Sequence, residues 1–213
     1  MKPKRKSTIF CISLLFWLLL VGMGLSLLFR YENNAGARGG SPSRWPEDSS
    51  IRRSSASPTL VMMVHPHCSC SRASINELAL LMTSIQGQVN ANVVFIRPKG
   101  FAQDWEKTDL WTSAAMIPGV TVSVDNEGVE AERFRSQTSG QVVLYGTDGR
   151  LLFSGGVTAA RGHSGDNDGR RSILALLTGN GLYVEQTPVF GCSLFKIESE
   201  EPSKDSAGAK NGK

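Results

Sequence analysis

Two cysteines one residue apart, Cys68 and Cys70, stand at the head of an amphipathic run, with His65 and His67 just before them and Arg72 just after. The thiolate is the reactive form of cysteine, and a helix N-terminus stabilises it through free N–H groups and the macrodipole. His67 and Arg72 would add positive charge and tune that thiolate. A bridge inside Cys-x-Cys closes a very small ring, departs from relaxed disulfide geometry and is expected to be oxidising. The first reading is therefore thiol–disulfide exchange, with Cys68 attacking and Cys70 as its partner. The second is metal handling, because His65, His67, Cys68 and Cys70 are all donors that suit copper, zinc or iron. The third is a thiol peroxidase, in which Cys68 meets peroxide and Cys70 or Cys192 resolves the product. The bland alternative is a pair of inert small residues at a strand–helix junction. Outside the cytoplasm exposed thiols tend to be oxidised or metal-bound, which favours a working role.

More distant residues can join this group. Cys192 can resolve a mixed disulfide, supply a metal ligand, or pack as a small hydrophobe beside Phe190 and Phe195. His163 lies in a long Gly-rich loop, Thr158–Asn167, that also carries Arg161 and Asp166. Long loops in compact domains are often functional. This one is expected to cover the cysteines, with Asp166 orienting His163, or else to be a solvated loop. In either case Asn167 or Asp168 caps the helix that follows.

The elements that must position these residues are well punctuated. TLVMMVH (59–65) and NVVFIR (92–97) read as strands buried on both faces. After Pro66, Ile75, Leu78, Leu81, Met82 and Ile85 recur at helical spacing, so a helix starts near Ser69–Ser71 and ends before Gly87. A second helix is expected over 104–117, stopped by Pro118-Gly119, with Trp105 and Trp111 as core residues. VTVSV (120–124) is a third strand, and a short helix follows near Glu130–Phe134. QVVLY and RLLFSG flank Gly146-Thr147-Asp148-Gly149 as a hairpin. RRSILALLTG (170–179) closes the set. Alternating strands and helices predict a mostly parallel α/β sheet with helices on both faces, made mixed by the hairpin.

These residues resemble a known fold. The strand leading into a cysteine-headed helix, the late VVLY-GTDG-RLLFSGG hairpin and the last helix are similar to thioredoxin-like proteins. The VDNEGVEAERF segment looks like the membrane-anchored TlpA-type branch. More narrowly, HPHCSCSRASINEL, TSGQVVLYGTDGRLLFSGG, TAARGHSGDN and TPVFGCSLF resemble RedB-like proteins, a likeness covering most of 58–195. The resemblance implies a thioredoxin-like mixed sheet and a redox or metal site. Two departures stand out. Ser71 occupies the place of the second cysteine of Cys-x-x-Cys. Thr138-Ser139-Gly140 stands where thioredoxins carry a cis-proline, which makes Ser139 and Gly140, with Arg161, candidates for the substrate loop. Sco-type copper proteins join a late-loop histidine to two early cysteines, which implies the ligand set Cys68, Cys70 and His163, with His67 or Cys192 added.

The 213-residue chain carries a formal charge of +4, but four of its 23 basic residues, Lys2, Lys4, Arg5 and Lys6, lie at the extreme N-terminus. The remaining 19 balance 19 acidic residues, which excludes a bulk basic field for nucleic acid. From Thr8 to Phe29 there is no charge, a helix of about 33 Å against a hydrocarbon core of about 30 Å. That run exceeds the length of a signal-peptide h-region and reads as an uncleaved anchor. The basic cluster ahead of it predicts a cytoplasmic N-terminus and an extracytoplasmic domain, periplasmic in a Gram-negative cell. The expected organisation is a basic tail (1–7), a transmembrane anchor (8–29), a flexible linker (30–57), a thioredoxin-like domain (58–197) and a disordered tail (198–213). The expected partners are the membrane and a thiol- or disulfide-bearing envelope protein.

Overall fold

Alternating side chains on five short runs bury both faces of one sheet. The computed structural model describes residues 4–37 and 39–195. The tail expected over 198–213 and residues 1–3 of the basic tail lie outside the described residues. The order is α1 (Lys4–Glu32), β1 (Thr59–Val64), α2 (Ser71–Ser84), β2 (Asn90–Arg97), α3 (Asp109–Ala115), β3 (Val120–Asn126), α4 (Val129–Arg133), β4 (Gln141–Tyr145), β5 (Leu151–Gly155) and α5 (Asp168–Thr178). The strands lie in the order β3-β2-β1-β4-β5, with β1, β2 and β3 parallel and β4 and β5 antiparallel. This is the thioredoxin-like mixed sheet with flanking helices that the pattern predicts.

Successive strand residues point to opposite faces, so each strand feeds two cores. On one face Leu60, Met62, Val64, Val93, Phe95, Leu144 and Phe153 meet Ile75, Leu78, Leu81 and Met82 of α2 and Ile173 of α5. On the other, Val61, Met63, Val94, Ile96, Val143 and Tyr145 meet Ile51, Ala131, Phe134 and Leu194. The first face is closed by helices. The second is closed by the short α4 and by irregular chain.

That irregular chain includes the segment expected to be a tether. Gly36 N–H donates to Val189 O at 2.8 Å, Trp45 N–H to Gly149 O at 2.8 Å, and Leu151 N–H to Ser43 O at 2.9 Å. The Tyr145 hydroxyl donates to Pro42 O at 2.9 Å. Trp45 stands edge-on to Phe134 and Tyr145, with ring centroids 5.1 and 5.3 Å away. A side chain at Gly39 would meet Arg135 O at 1.8 Å, so the backbone approaches there as only glycine permits. Residues 36–37 and 39–51 thus run along the sheet as a strap. Their Gly/Ser/Arg/Pro composition has no period to reveal it, because Trp45 and Ile51 are its main apolar anchors.

The second helix is shorter than its pattern. Asp104 adopts a left-handed backbone (φ 71°), Lys107 N–H closes a turn onto Asp104 O, and α3 begins only at Asp109. Trp111 packs on Phe95 as expected, but Trp105 lies outside the helix.

Ahead of the domain, Ser7–Glu32 is a helix long and apolar enough to cross a membrane, with mean hydropathy 2.4 and none of it buried in the protein. Ile9, Phe10, Leu19 and Phe29 are among its exposed apolar side chains.

Candidate functional site

The site sits where β1 ends. Pro66 follows His65 and can carry no ladder donor, so the strand stops at Val64 and the chain turns. Tight turns then wind into α2. Cys68 N–H donates to His65 O at 3.1 Å, Ser71 N–H to Cys68 O at 3.0 Å, and Ala73 N–H to Cys70 O at 3.2 Å. Cys70 is the N-cap and has no side-chain cap bond. Cys68 is 1% exposed and Cys70 is 7% exposed.

The third sulfur arrives from the far end of the chain. The segment after α5 first covers β5, with Ser154 N–H donating to Glu185 O at 3.0 Å and Gly156 N–H to Pro188 O at 3.1 Å. It then pairs with the chain ahead of β4: Ser139 N–H donates to Cys192 O at 2.8 Å, and Leu194 N–H to Gln137 O at 2.9 Å. Gly191 makes that approach possible, since a side chain there would meet Ser139 O at 2.0 Å. The outcome is a Cys68–Cys192 sulfur separation of 2.9 Å, with Cys192 N–H 3.4 Å from Cys68 Sγ. The sulfurs of Cys68, Cys70 and Cys192 all lie within 4.8 Å of one another. Among the described residues no other His, Cys, Asp or Glu joins this group.

The electrostatics separate the three thiols. The Cys192 S–H bonds to Cys68 and holds its thiol far below the usual range, at about 4, against the opposing effect of burial. The Ser71 hydroxyl and the Cys192 and Ser71 amides add to that stabilisation. Cys192 moves the other way, chiefly because its proton is bonded to Cys68 and also because it is desolvated. Cys70 is raised by burial and by the charge on Cys68, with Arg161 opposing. One thiolate shared among three sulfurs, centred on Cys68, is the state this geometry favours.

Ser139 links the parts. Its hydroxyl accepts His65 N–H at 2.7 Å and lies 2.6 Å from the Ser71 hydroxyl. Gly140 adopts φ 87°, donates its N–H to Met63 O at 2.8 Å, and leaves room for Ser74, whose hydroxyl would be 2.6 Å from any Cβ there. There is no cis peptide bond among the described residues. A serine hydroxyl and a left-handed glycine here fill the stretch where thioredoxins carry their cis-proline.

Arg161 also reaches the site. Its guanidinium bonds Gly191 O and donates from Nε to Asn34 O at 3.0 Å. It lies over the Tyr31 ring at 5.2 Å, and its N–H donates to Glu32 O at 3.0 Å. One side chain therefore ties the end of α1 to the segment carrying Cys192. Buried Glu77 of α2 fixes the same loop by accepting Gly165 N–H at 2.7 Å and Asn167 Nδ2 at 3.1 Å and pairing with Arg170 Nε at 2.9 Å. Asn167 caps α5 by accepting Arg170 N–H at 2.8 Å.

The remaining candidates are placed elsewhere. Arg72 is exposed and pairs with Asp109. His163 is exposed, with Nδ1 2.8 Å from Arg161 O, and Asp166 pairs with Arg171 rather than with His163. His67 is exposed and packs on Trp105, ring centroids 4.5 Å apart, and its N–H donates to His65 Nδ1 at 3.2 Å. Burial keeps His65 below its usual range, with the charge on His67 adding to that and Cys68 opposing. Trp105 and Phe101, 4.4 Å apart, complete an aromatic rim beside the cysteine turn. Nothing in the local pattern of residues 101–105 distinguishes these two from core aromatics; the turn at Asp104 does.

No protein-family model matches this sequence, and no curated protein matches it. Solved structures do. An uncharacterized conserved protein from Geobacillus kaustophilus is 17% identical, with a TM-score of 0.55 over 79% of this chain and 95% of that one. A hypothetical protein from Sinorhizobium meliloti is also 17% identical, with a TM-score of 0.53 over 76% and 96%. A secreted Mycobacterium tuberculosis disulfide oxidoreductase aligns at 14% identity and a TM-score of 0.42, over 58% and 82%. At such identities the likeness is one of fold alone, the mixed sheet with flanking helices described above.

Proposed function

We propose that this chain is a membrane-anchored thiol–disulfide exchange protein of the cell envelope, akin to RedB-like proteins, with Cys68 as its thiolate. The observation that carries this reading is the 2.9 Å approach of Cys68 Sγ to Cys192 Sγ at the head of α2. In the reducing direction one thiolate of the group attacks a disulfide and releases one partner thiolate. A second cysteine of the group then attacks the protein sulfur of that mixed disulfide, releases the other partner thiolate and leaves an internal disulfide that includes Cys68. Cys192 stands nearest for that step, and Cys70 is the alternative within the same group. Ser139, Gly140 and Arg161 hold the segments that meet there, and His67 lines the approach with Trp105. Arg72, paired with Asp109, would act through that ion pair rather than by direct contact.

The second reading is a thiophilic metal such as copper held by Cys68, Cys70 and Cys192, favoured by the clustering of three sulfurs. With metal–sulfur bonds of about 2.3 Å, ligating sulfurs sit roughly 3.8–4.0 Å apart. A pair at 2.9 Å is closer than that, and His163 and His67 stand outside the group, so exchange is the better reading.

The anchor reading rests on Ser7–Glu32 and the basic residues before it, and the proposed partition into basic tail, anchor, linker and domain follows from that reading. The full chain, purified without chelator, would be assayed for free thiols before and after reduction and for bound metal. One reducible disulfide without metal is expected. Stoichiometric metal lost on Cys70→Ser would replace exchange with metal handling. Labelling by an impermeant thiol reagent on intact, reduced cells tests orientation, and labelling only after the cells are opened would reverse it.

A further inference from the structure

The three sulfurs differ in access as much as in charge. Cys68 is 1% exposed and Cys70 is 7% exposed, whereas Cys192 is partly exposed, beside exposed Ser193. A thiolate displaces a sulfur in line, entering opposite the bond that breaks. Attack on Cys68 Sγ would have to enter through buried protein. Cys192 is the most exposed of the three, so an external thiolate meets its sulfur first. The donors for the departing charge are already set around Cys68: the Cys192 amide at 3.4 Å, and the hydroxyl and amide of Ser71. Preorganised donors stabilise a developing anion without rearranging. The Arg161 guanidinium, bonded to Gly191 O next to Cys192, places a positive charge beside that sulfur and favours an anionic thiol there.

Resting on the exchange reading above, we infer that external thiols engage the oxidised site at Cys192 Sγ, with Cys68 as the buried leaving group. In the first step a partner thiolate forms a bond to Cys192 Sγ, the Cys68–Cys192 bond breaks, and its electron pair leaves on Cys68. In the second, another partner thiolate attacks the partner sulfur of the mixed disulfide. That releases an oxidised partner disulfide and a Cys192 thiolate, which takes up a proton. Two partner thiols are oxidised, one protein disulfide is reduced, and a disulfide-bearing oxidant restores it. The substrate class is an accessible thiol, small or protein-borne, and the covalent intermediate is carried by the C-terminal cysteine rather than by the helix-head cysteine.

The test uses the full chain in detergent micelles, oxidised with diamide, with glutathione as the probe. Brief exposure to glutathione, acid quenching, capping with a maleimide and peptide mass spectrometry would locate both adducts. Glutathione on Cys192 with maleimide on Cys68 is expected, in roughly tenfold excess over any other pairing. Glutathione chiefly on Cys68 or Cys70, or an initial Cys68–Cys70 disulfide, would overturn this inference and leave the exchange reading standing. Failure to form any internal disulfide would overturn both.

Discussion

The two faces of the sheet are closed by different means. One is covered by α2, α3 and α5, whose apolar residues recur at helical spacing. The other is covered by the strap over 36–37 and 39–51, by α4 and by the chain around Leu194, which dock through backbone hydrogen bonds and a few large anchors. The helical face supplies Cys68 and Cys70, and the segment that turns along the other supplies Cys192. The site is the seam between them. A regular helix carries Cys68 at its head, but the sulfur nearest to it comes from chain without regular structure, fixed by pairing with residues 137–139.

The largest test of this comparison is a matched pair. Phe153 lies in the first core and Phe134 in the second, and both are fully buried. Phe153→Ala and Phe134→Ala are each expected to lose about 3–5 kcal/mol in denaturant unfolding. A loss under about 1 kcal/mol for Phe134→Ala would mean the second face is a loose cover rather than a core. Next is Gly191→Ala, whose new Cβ meets Ser139 O at 2.0 Å and must lift the Cys192 segment. About 1–3 kcal/mol of stability should be lost, and the Cys68 thiolate should become harder to form. An unchanged thiolate titration in that variant would detach the seam from the chemistry.

The titration itself follows from the environment of Cys68. Thiolate absorbance of the reduced chain should retain one thiolate below neutral pH and lose it only as pH falls towards about 4. Because folding lowers this pKa, the thiolate's contribution to stability is complete above the ordinary thiol range and disappears as pH falls through about 4. Cys192→Ala removes the S–H donor and should move the midpoint upward; a fixed midpoint would assign the effect to the helix head alone. The smallest effect is Tyr145→Phe, which removes the 2.9 Å bond to Pro42 O and should cost about 1 kcal/mol. No change would show that Trp45 and Ile51 hold the strap without it.

Most of the architecture was legible because burial imposes a period. TLVMMV, NVVFIR and QVVLY read as strands, and the Ile75–Ile85 spacing as a helix, because each must turn apolar groups inward. A cap at Asn167 or Asp168 was legible because short polar side chains precede the apolar period, and the structure puts it at Asn167. That Cys68 and Cys70 stand at the head of α2 was readable from the apolar period that follows them. The strap, the displaced Trp105 and the pairing of Cys192 with Cys68 were not. They depend on contacts between residues far apart in the chain, 124 positions for Cys68 and Cys192.

By itself, then, the sequence determined the strands, the main helices, the apolar N-terminal run and the presence of two cysteines at a helix start. Each of these follows from local spacing and side-chain polarity. Only the tertiary structure decided which sulfurs meet, which stay buried and which charged groups face them. Cys68 and Cys70 are neighbours by covalent connection, but the Cys192 contact needs the chain after α5 to return to residues 137–139. That return is set by Gly191 and by backbone hydrogen bonds, which every residue can accept and all but proline can donate, and which therefore leave little mark in residue type.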